Sequence, residues 1–325
     1  MSSVGTVHEG IYQSGLVRRI ARWLDALPHP PLAVEIAPDR IVAVRWSRTG
    51  SVDDYAVEVL PAGAIVPSAV DNNVVDLVSV KIAFAKACDR LLAKDEEVAL
   101  ILPDPVIRVF IQHFEEFPRS AEEAIPMLRW KLKKSVPFDA DETLISYMRQ
   151  APREAGVDVV TGLARQRIIR EYESLAEEQG LYPGVVMSSS LAAVSLLNGE
   201  KPTLLARISG SSLTSAIVRN DVLCGYRCTE LPAHGLQLTP QMLLEEVFPV
   251  AAYYQDTWHE EIQAVRVAGL GARLPDFVRP LEDEFHCEVR SLLYSALSDG
   301  RIKDDTLPLA DRELEGLIGW MLQRN

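Results

Sequence analysis

From residue 32 the chain alternates short β-branched runs with turns: LAVEIA, PD, RIVAVRWS, RTGSVDD, YAVEVL. Runs of this length, rich in Val and Ile and bounded by Pro, Asp and Gly, predict three strands joined by tight connections. The same layout returns at residue 204 as LLARIS, GSS, LTSAIVR, ND, VLCGYRC. Two units of one design, each opening half of the chain, predict an internal duplication. Helical spacing follows each copy, so the pattern predicts an α/β protein of two similar lobes around a cleft.

Between the copies the periodicity is mixed. Residues 74–92 have helical spacing and lead into a strand, EVALIL, closed by Pro103-Asp104-Pro105. An extended run follows at 106–111, then a helix opened by Ser120 with Glu123 three residues later, a capping box. That helix carries RWKLKKSVPFD and ends at Pro137. Residues 143–149 and 158–161 read as strands, 165–179 as a helix stopped by Gly180, and Ser188, Ser189 and Ser190 as an N-cap run before LAAVSLL. The second half continues with helices at 240–258, after Pro275 and at 309–323. Ahead of the first strand, residues 16–27 place Leu16, Ile20, Trp23, Leu24 and Leu27 on one helical face and Arg18, Arg19 and Arg22 on the rest. Two readings suit this segment, a helix docked on its own domain and a helix for a membrane surface or a partner.

The chain of 325 residues is 48% hydrophobic and 24% charged, which suits a folded protein with more than one core. Its net charge of −13 argues against nucleic acid, because phosphate neutralisation needs a basic surface. No run approaches the roughly 20 apolar residues of a membrane helix, and the opening residues lack a signal peptide's pattern, so a cytoplasmic protein is expected. The cysteines Cys88, Cys224, Cys228 and Cys287 are scattered and fit no zinc spacing, and His286-Cys287 would diverge on a strand.

Several stretches, in their order and spacing, resemble the PilM-like family of type IV pilus assembly proteins, relatives of FtsA in the actin-like superfamily. They are AVEIA (33–37), PAGAIV (61–66), VALILP (98–103), SAEE (120–123), VPF (136–138), GLYP (180–183), the hairpin at 207–219 and VAGLGARLP (267–275). The resemblance implies a two-lobed actin-like (ribonuclease H-like) duplication with an inserted α+β subdomain in the first lobe. It implies a tail at 1–31, a first-lobe core at 32–60 and 157–199, an insert at 61–152 and a second lobe at 202–325. It also implies ATP with Mg in the cleft, a seat on the cytoplasmic face of the inner membrane, and a groove beside the insert for the cytoplasmic tail of a PilN-like membrane partner. Other pilus platform proteins and homo-oligomers belong to the same expectation.

In this superfamily two Asp-Ile-Gly hairpins clasp the phosphates, glycine letting N–H groups approach the anion while the acid holds hydrated Mg²⁺. Here the first reads Glu35-Ile36-Ala37-Pro38-Asp39, without the glycine and with Pro38 removing an N–H. The second reads Arg207-Ile208-Ser209-Gly210-Ser211-Ser212, a cation where the family has an acid. Gly210, Ser211, Ser212 and Arg207 retain the chemistry of phosphate binding, and Gly269, Gly271 and Ala272 sit where the family's turn meets adenosine. The alternative is that Glu35 and Arg207 occupy corresponding positions and pair across the cleft in place of Mg-ATP. A third is that both are ordinary surface charges at strand ends.

No Walker phosphate loop, zincin or nucleophile-elbow motif is present. For the partner, the insert's helix offers Arg129, Lys131, Lys133 and Lys134 with Phe138 as a basic, aromatic-flanked surface for an acidic tail or anionic lipid. The same helix reads equally as one whose Trp130 packs inward while the lysines are solvated. A bound tail would be a short extended peptide using main-chain hydrogen bonds at a sheet edge. The expected function is a cytoplasmic actin-like scaffold with nucleotide binding weakened or lost. The competing readings are an active ATPase of the superfamily, which needs an intact carboxylate base and metal ligands, and a type II secretion platform component of similar fold.

Overall fold

The computed structural model describes residues 30–323 apart from 48–50, 94–95, 154–155, 232–237, 301, 303–305, 307–308 and 310–313; the amphipathic segment 16–27 lies outside the described residues. The first predicted unit forms strands β1 (Leu32–Ile36), β2 (Arg40–Trp46) and β3 (Val52–Val59). Helix α1 (Leu77–Arg90) then crosses to β4 (Glu97–Leu102), and β8 (Tyr182–Ser188) closes a five-stranded sheet of order β3-β2-β1-β4-β8. The second unit, β9 (Thr203–Ser209), β10 (Ser212–Arg219) and β11 (Val222–Glu230), is joined by β12 (Ala264–Ala268) and β13 (Glu288–Ser291) in the order β11-β10-β9-β12-β13. Each sheet is therefore an antiparallel three-strand meander extended by two parallel strands. The duplication expected from the sequence is the architecture.

Helices cover both faces of these sheets, which is why β1 is buried at all five positions and reads as a near-continuous apolar run. On the outer face of the first sheet, Leu32, Val34 and Ile36 pack with Phe84 of α1 and with Ile168 and Tyr172 of α3 (Gln166–Glu177). On the second sheet, Leu204, Ala206 and Ile208 pack with residues of α5 (Pro240–Trp258) and α6 (Leu274–Phe285). The inner faces meet in one core in which Ala33, Val44 and Ile101 of the first sheet join Leu205, Ala216 and Val218 of the second, with Leu292 and Ala296 of α7 (Leu292–Ser298).

Helix α8 (Glu315–Leu322) is buried at every residue and lies in that shared core, as expected of a helix that is apolar all round. It packs on α4 (Ser189–Ala193) through Gly316 and Gly319, one turn apart on one face. A Cβ on Gly319 would fall 2.2 Å from the Ala192 carbonyl oxygen, and one on Gly316 would fall 2.3 Å from Ser189 Oγ. Two helices thus approach each other backbone to backbone at the junction of the lobes. The final helix is shorter than the 309–323 expected, and the helix expected at 190–197 is α4 followed by a 3-10 turn at Val194–Leu196.

The inserted sheet has order β5-β7-β6, from β5 (Arg108–Phe114), β6 (Thr143–Arg153) and β7 (Gly156–Arg165). Its helix α2 (Ala121–Leu132) is capped by the Ser120 side chain as predicted, and packs on one face through Ala124 and Leu128. The boundaries differ from the expected 61–152. Helix α1 and β4 belong to the first lobe, because EVALIL pairs in parallel with β1 and β8, whereas β7 is the central strand of the insert. Helix α2 also stops at Leu132, where Ser135 N–H bonds the Leu132 carbonyl ahead of Pro137. The insert is pinned to the second lobe by Gln150, whose amide accepts from Leu223 N–H at 2.8 Å and donates to the Leu223 carbonyl at 2.9 Å.

Alanine at Gly316 or Gly319 tests the close helix contact. Helix propensity alone predicts a gain of about 1 kcal/mol, but forced overlap predicts a net loss of roughly 1–3 kcal/mol. Urea denaturation of the Gly319→Ala variant is expected to show the loss.

Candidate functional site: the interlobe cleft and the groove beside the insert

The inner position of the first strand in each sheet is polar, Glu35 on β1 and Arg207 on β9. Duplication places these residues opposite each other, and Arg207 Nη2 lies 3.6 Å from Glu35 Oε1. The cluster is larger than a pair. Arg207 also stands 3.6 Å from Asp104 Oδ2, at the end of β4, and 3.5 Å from Glu315 Oε2, at the start of α8. It donates to Ser190 Oγ at 3.2 Å, and Ser189 Oγ donates to Glu35. All four charged residues are 6% exposed or less, so one guanidinium is shared by three buried carboxylates.

Asp104 ties both lobes together. It accepts from Ser188 Oγ at 2.6 Å, from Ser190 N–H at 2.7 Å and from Ser190 Oγ in the first lobe. From the second lobe it accepts Thr214 Oγ1 at 2.9 Å. Ser188 takes the expected N-cap position of α4 but makes no side-chain cap bond; the three serine hydroxyls face the carboxylates instead. Burial pushes the Glu35 carboxyl above the usual range, with Arg207 opposing the shift. That direction lowers the cluster's excess of negative charge.

Beside the cluster is a cavity of about 400 Å³, lined in part by Ala37, Pro38, Arg40, Gly210, Gly269 and Arg273. Its walls fit Mg-ATP poorly. Pro38 of the first hairpin and Gly210 of the second line this cavity from opposite lobes, with Pro38 Cγ 3.5 Å from where a Cβ on Gly210 would sit, and the Pro38 ring leaves no backbone N–H for a phosphate at that turn. Ser212 Oγ donates to the Ser209 carbonyl within its own turn. A divalent cation at the hairpins would meet the Arg207 guanidinium, which already holds the acids. Neither Ser211 nor Ser212 lines the cavity, nor do Gly271 and Ala272, which are exposed in the 3-10 turn whose Arg273 does line it. Gly269 has φ +80°, and a Cβ there would fall 1.9 Å from the Ile208 carbonyl oxygen. Gly269 of VAGLGARLP answers first to the neighbouring strand.

A second cavity, of about 330 Å³, separates the insert from the first lobe. It runs between β6 and β8, which are edge strands of their sheets. Leu144 and Met148 line one side, Val185 and Met187 the other, with Val160 and Leu191 among the residues around them. None of the residues expected to hold a partner lines this groove. Arg129 donates to the carbonyls of Ala140 and Thr143, Lys131 lies 3.9 Å from the Phe114 ring centroid, and the Arg165 guanidinium stands 6.0 Å from the Phe138 ring. Lys133 and Lys134 are exposed beyond the end of α2. Trp130 is 80% exposed and does not pack inward, because Leu128 and Leu132 take the core-facing positions of that helix.

Two like sheets, each a meander extended by parallel strands, with a helical junction between them, define an actin-like fold. The structure described as a PilM–PilN type IV pilus biogenesis complex is similar, with a TM-score of 0.68 at 16% identity over 91% of this chain and 99% of that one. A Bacteroides thetaiotaomicron protein of actin-like ATPase fold and unknown function matches with a TM-score of 0.51 at 9% identity, over 88% of this chain and 97% of that one. No family model and no curated protein matches the sequence. Among the described residues there is no metal-ligand cluster, and no helix is long and apolar enough to cross a membrane.

Removing the central cation should strand the carboxylates. Arg207→Met is expected to cost about 3–5 kcal/mol, the range for breaking a buried ion pair from one side. Glu35→Gln should cost less than Arg207→Met, since burial raises the Glu35 carboxyl and so disfavours its charged form. A carboxyl raised in the folded state contributes stability below the unfolded carboxylate range and loses it as pH rises through the raised value. Chemical denaturation across pH should therefore show wild type losing stability relative to Glu35→Gln as pH increases.

Proposed function

We propose that this protein is an actin-like scaffold of a type IV pilus assembly platform, working at the cytoplasmic face of the inner membrane. Its partner is the short cytoplasmic tail of a PilN-like membrane protein, held in the groove between insert and first lobe. The observation that carries this reading is two open sheet edges, β6 and β8, facing each other across an apolar channel. An edge strand offers unpaired N–H and C=O groups to an extended peptide, while pockets for alternate side chains select its sequence. The likeness to a PilM–PilN complex supports the same partner class.

The interlobe cleft, in this reading, is a structural joint. Phosphoryl transfer needs a carboxylate base and metal held at the phosphates. Here a fixed guanidinium occupies the centre of the acids, and Pro38 offers no backbone N–H to a phosphate. The lobes are held by ion pairing in place of Mg-ATP.

Calorimetric titration with a peptide copying the partner's cytoplasmic tail tests the groove. Leu144→Glu and Val186→Asp, which put charge on opposite walls, should each weaken binding at least about tenfold, as expected for an unpaired charge placed in a desolvated apolar contact. The double variant Lys133→Glu, Lys134→Glu should leave the affinity within about twofold, because rim and remote charges contribute little. Loss of binding only in the lysine variant would move the site to the basic end of α2.

A further inference from the structure

Among the described aromatic side chains Trp130 is the most exposed, at 80%. Packing does not account for its place. Helix α2 sets Ala124, Leu128 and Leu132 toward the insert's core, and Trp130, two residues on from Leu128, stands about 200° round the helix from it. An indole is amphipathic and suits a boundary between water and an apolar phase. Lys133 and Lys134 follow at three and four positions, both exposed, so all three project from one end of the helix. Basic residues at a helix C-terminus answer the helix dipole, but the dipole gives no reason for the tryptophan.

The acids nearby do not cover this crest. Glu122 and Glu123 occupy the other end of α2, about 10 Å back along the axis from Trp130. Asp139, Asp141 and Glu142 lie on the flank where Arg129 reaches the Ala140 and Thr143 carbonyls; Asp139 accepts from Asp141 N–H, and Glu142 stands 3.3 Å from Arg165. Lys131 turns to the Phe114 ring. We propose that the C-terminal end of α2 is a membrane contact, in which Trp130 enters the interfacial zone of an anionic bilayer and Lys133 and Lys134 meet its phosphate headgroups. Neither the indole nor the two lysines border the cleft cavity or the groove, and a convex crest offers a peptide no walls, whereas a bilayer needs none.

Charge sets the geometry of the contact. A chain of net charge −13 is repelled by an anionic surface over most of its area, so this end leads. Each lysine near such a surface strengthens binding about fivefold, which makes the patch a weak, salt-sensitive contact by itself. Arg129 connects it to the groove: its guanidinium holds the Thr143 carbonyl, and the next residue, Leu144, is 45% exposed and lines the groove. The lipid contact therefore stands beside one part of the groove, where two weak attachments to the same bilayer, lipid and tail, would reinforce each other. That reinforcement rests on the reading of the groove as a tail site; the lipid contact does not.

Co-sedimentation of the full chain with vesicles tests the contact. Wild type is expected to bind vesicles of phosphatidylglycerol and phosphatidylcholine at least about tenfold better than vesicles of phosphatidylcholine alone, and to be released by about 0.5 M salt. The double variant Lys133→Glu, Lys134→Glu should bind the mixed vesicles at least about twentyfold more weakly, and Trp130→Ala at least about fivefold. All three side chains are exposed, so thermal unfolding of these variants should match wild type, which separates lost lipid contact from lost fold. Val186→Asp, in the groove, should bind vesicles as wild type does even where it loses the tail peptide, so groove and patch stand or fall separately. The proposal is overturned if wild type ignores phosphatidylglycerol, if it binds both kinds of vesicle equally, or if both α2 variants bind as wild type does. It is overturned equally if the lysine variant loses the tail peptide and keeps the vesicles, which would make the patch a site for an acidic peptide.

Discussion

One guanidinium holds this molecule together at its middle. Arg207 contacts carboxylates from β1, from the turn after β4 and from the start of α8, three segments that only the completed fold brings together. Buried charge is costly to desolvate, and it persists where geometry and hydrogen bonds satisfy the remaining lone pairs. Here serine hydroxyls, a backbone N–H and Thr214 do so for Asp104, while burial favours neutral Glu35. The cluster draws on both lobes, so opening the cleft would pull Arg207 away from Glu35 and Asp104.

The rest of the junction is built for closeness. Gly316 and Gly319 let α8 settle on α4. Gln150 fastens the insert to the second lobe from the far side of the groove. Ser188 belongs to both regions, since it lines the groove and donates to Asp104. A peptide seated between β6 and β8 would therefore rest on a wall that also borders the ion cluster.

The two hairpin units and their duplication were legible because strand periodicity and turn residues are local signals. From that duplication the opposition of Glu35 and Arg207 followed by symmetry alone. Asp104 and Glu315 were not legible as its partners: one looked like part of a Pro-rich strand end, the other lies 108 residues from Arg207 in sequence and on no repeated element. The serines of 188–190 read as a cap because cap and acceptor network use the same residue type. The insert's limits were misread because EVALIL is equally at home in either sheet, and only its pairing with β1 decides. Gly269 shows the general difficulty, since a small residue reports a close approach without saying whether a strand or a ligand makes it.

The claim that the ion cluster stands in place of nucleotide is tested most directly by isothermal titration of the wild-type protein with Mg-ATP. No binding heat up to millimolar nucleotide is expected, since binding would have to admit a metal beside Arg207, at a turn where Pro38 offers no N–H to the phosphates. Saturable binding with a dissociation constant on the order of micromolar, about −8 kcal/mol, would show that the cleft opens to the ligand and would contradict the account.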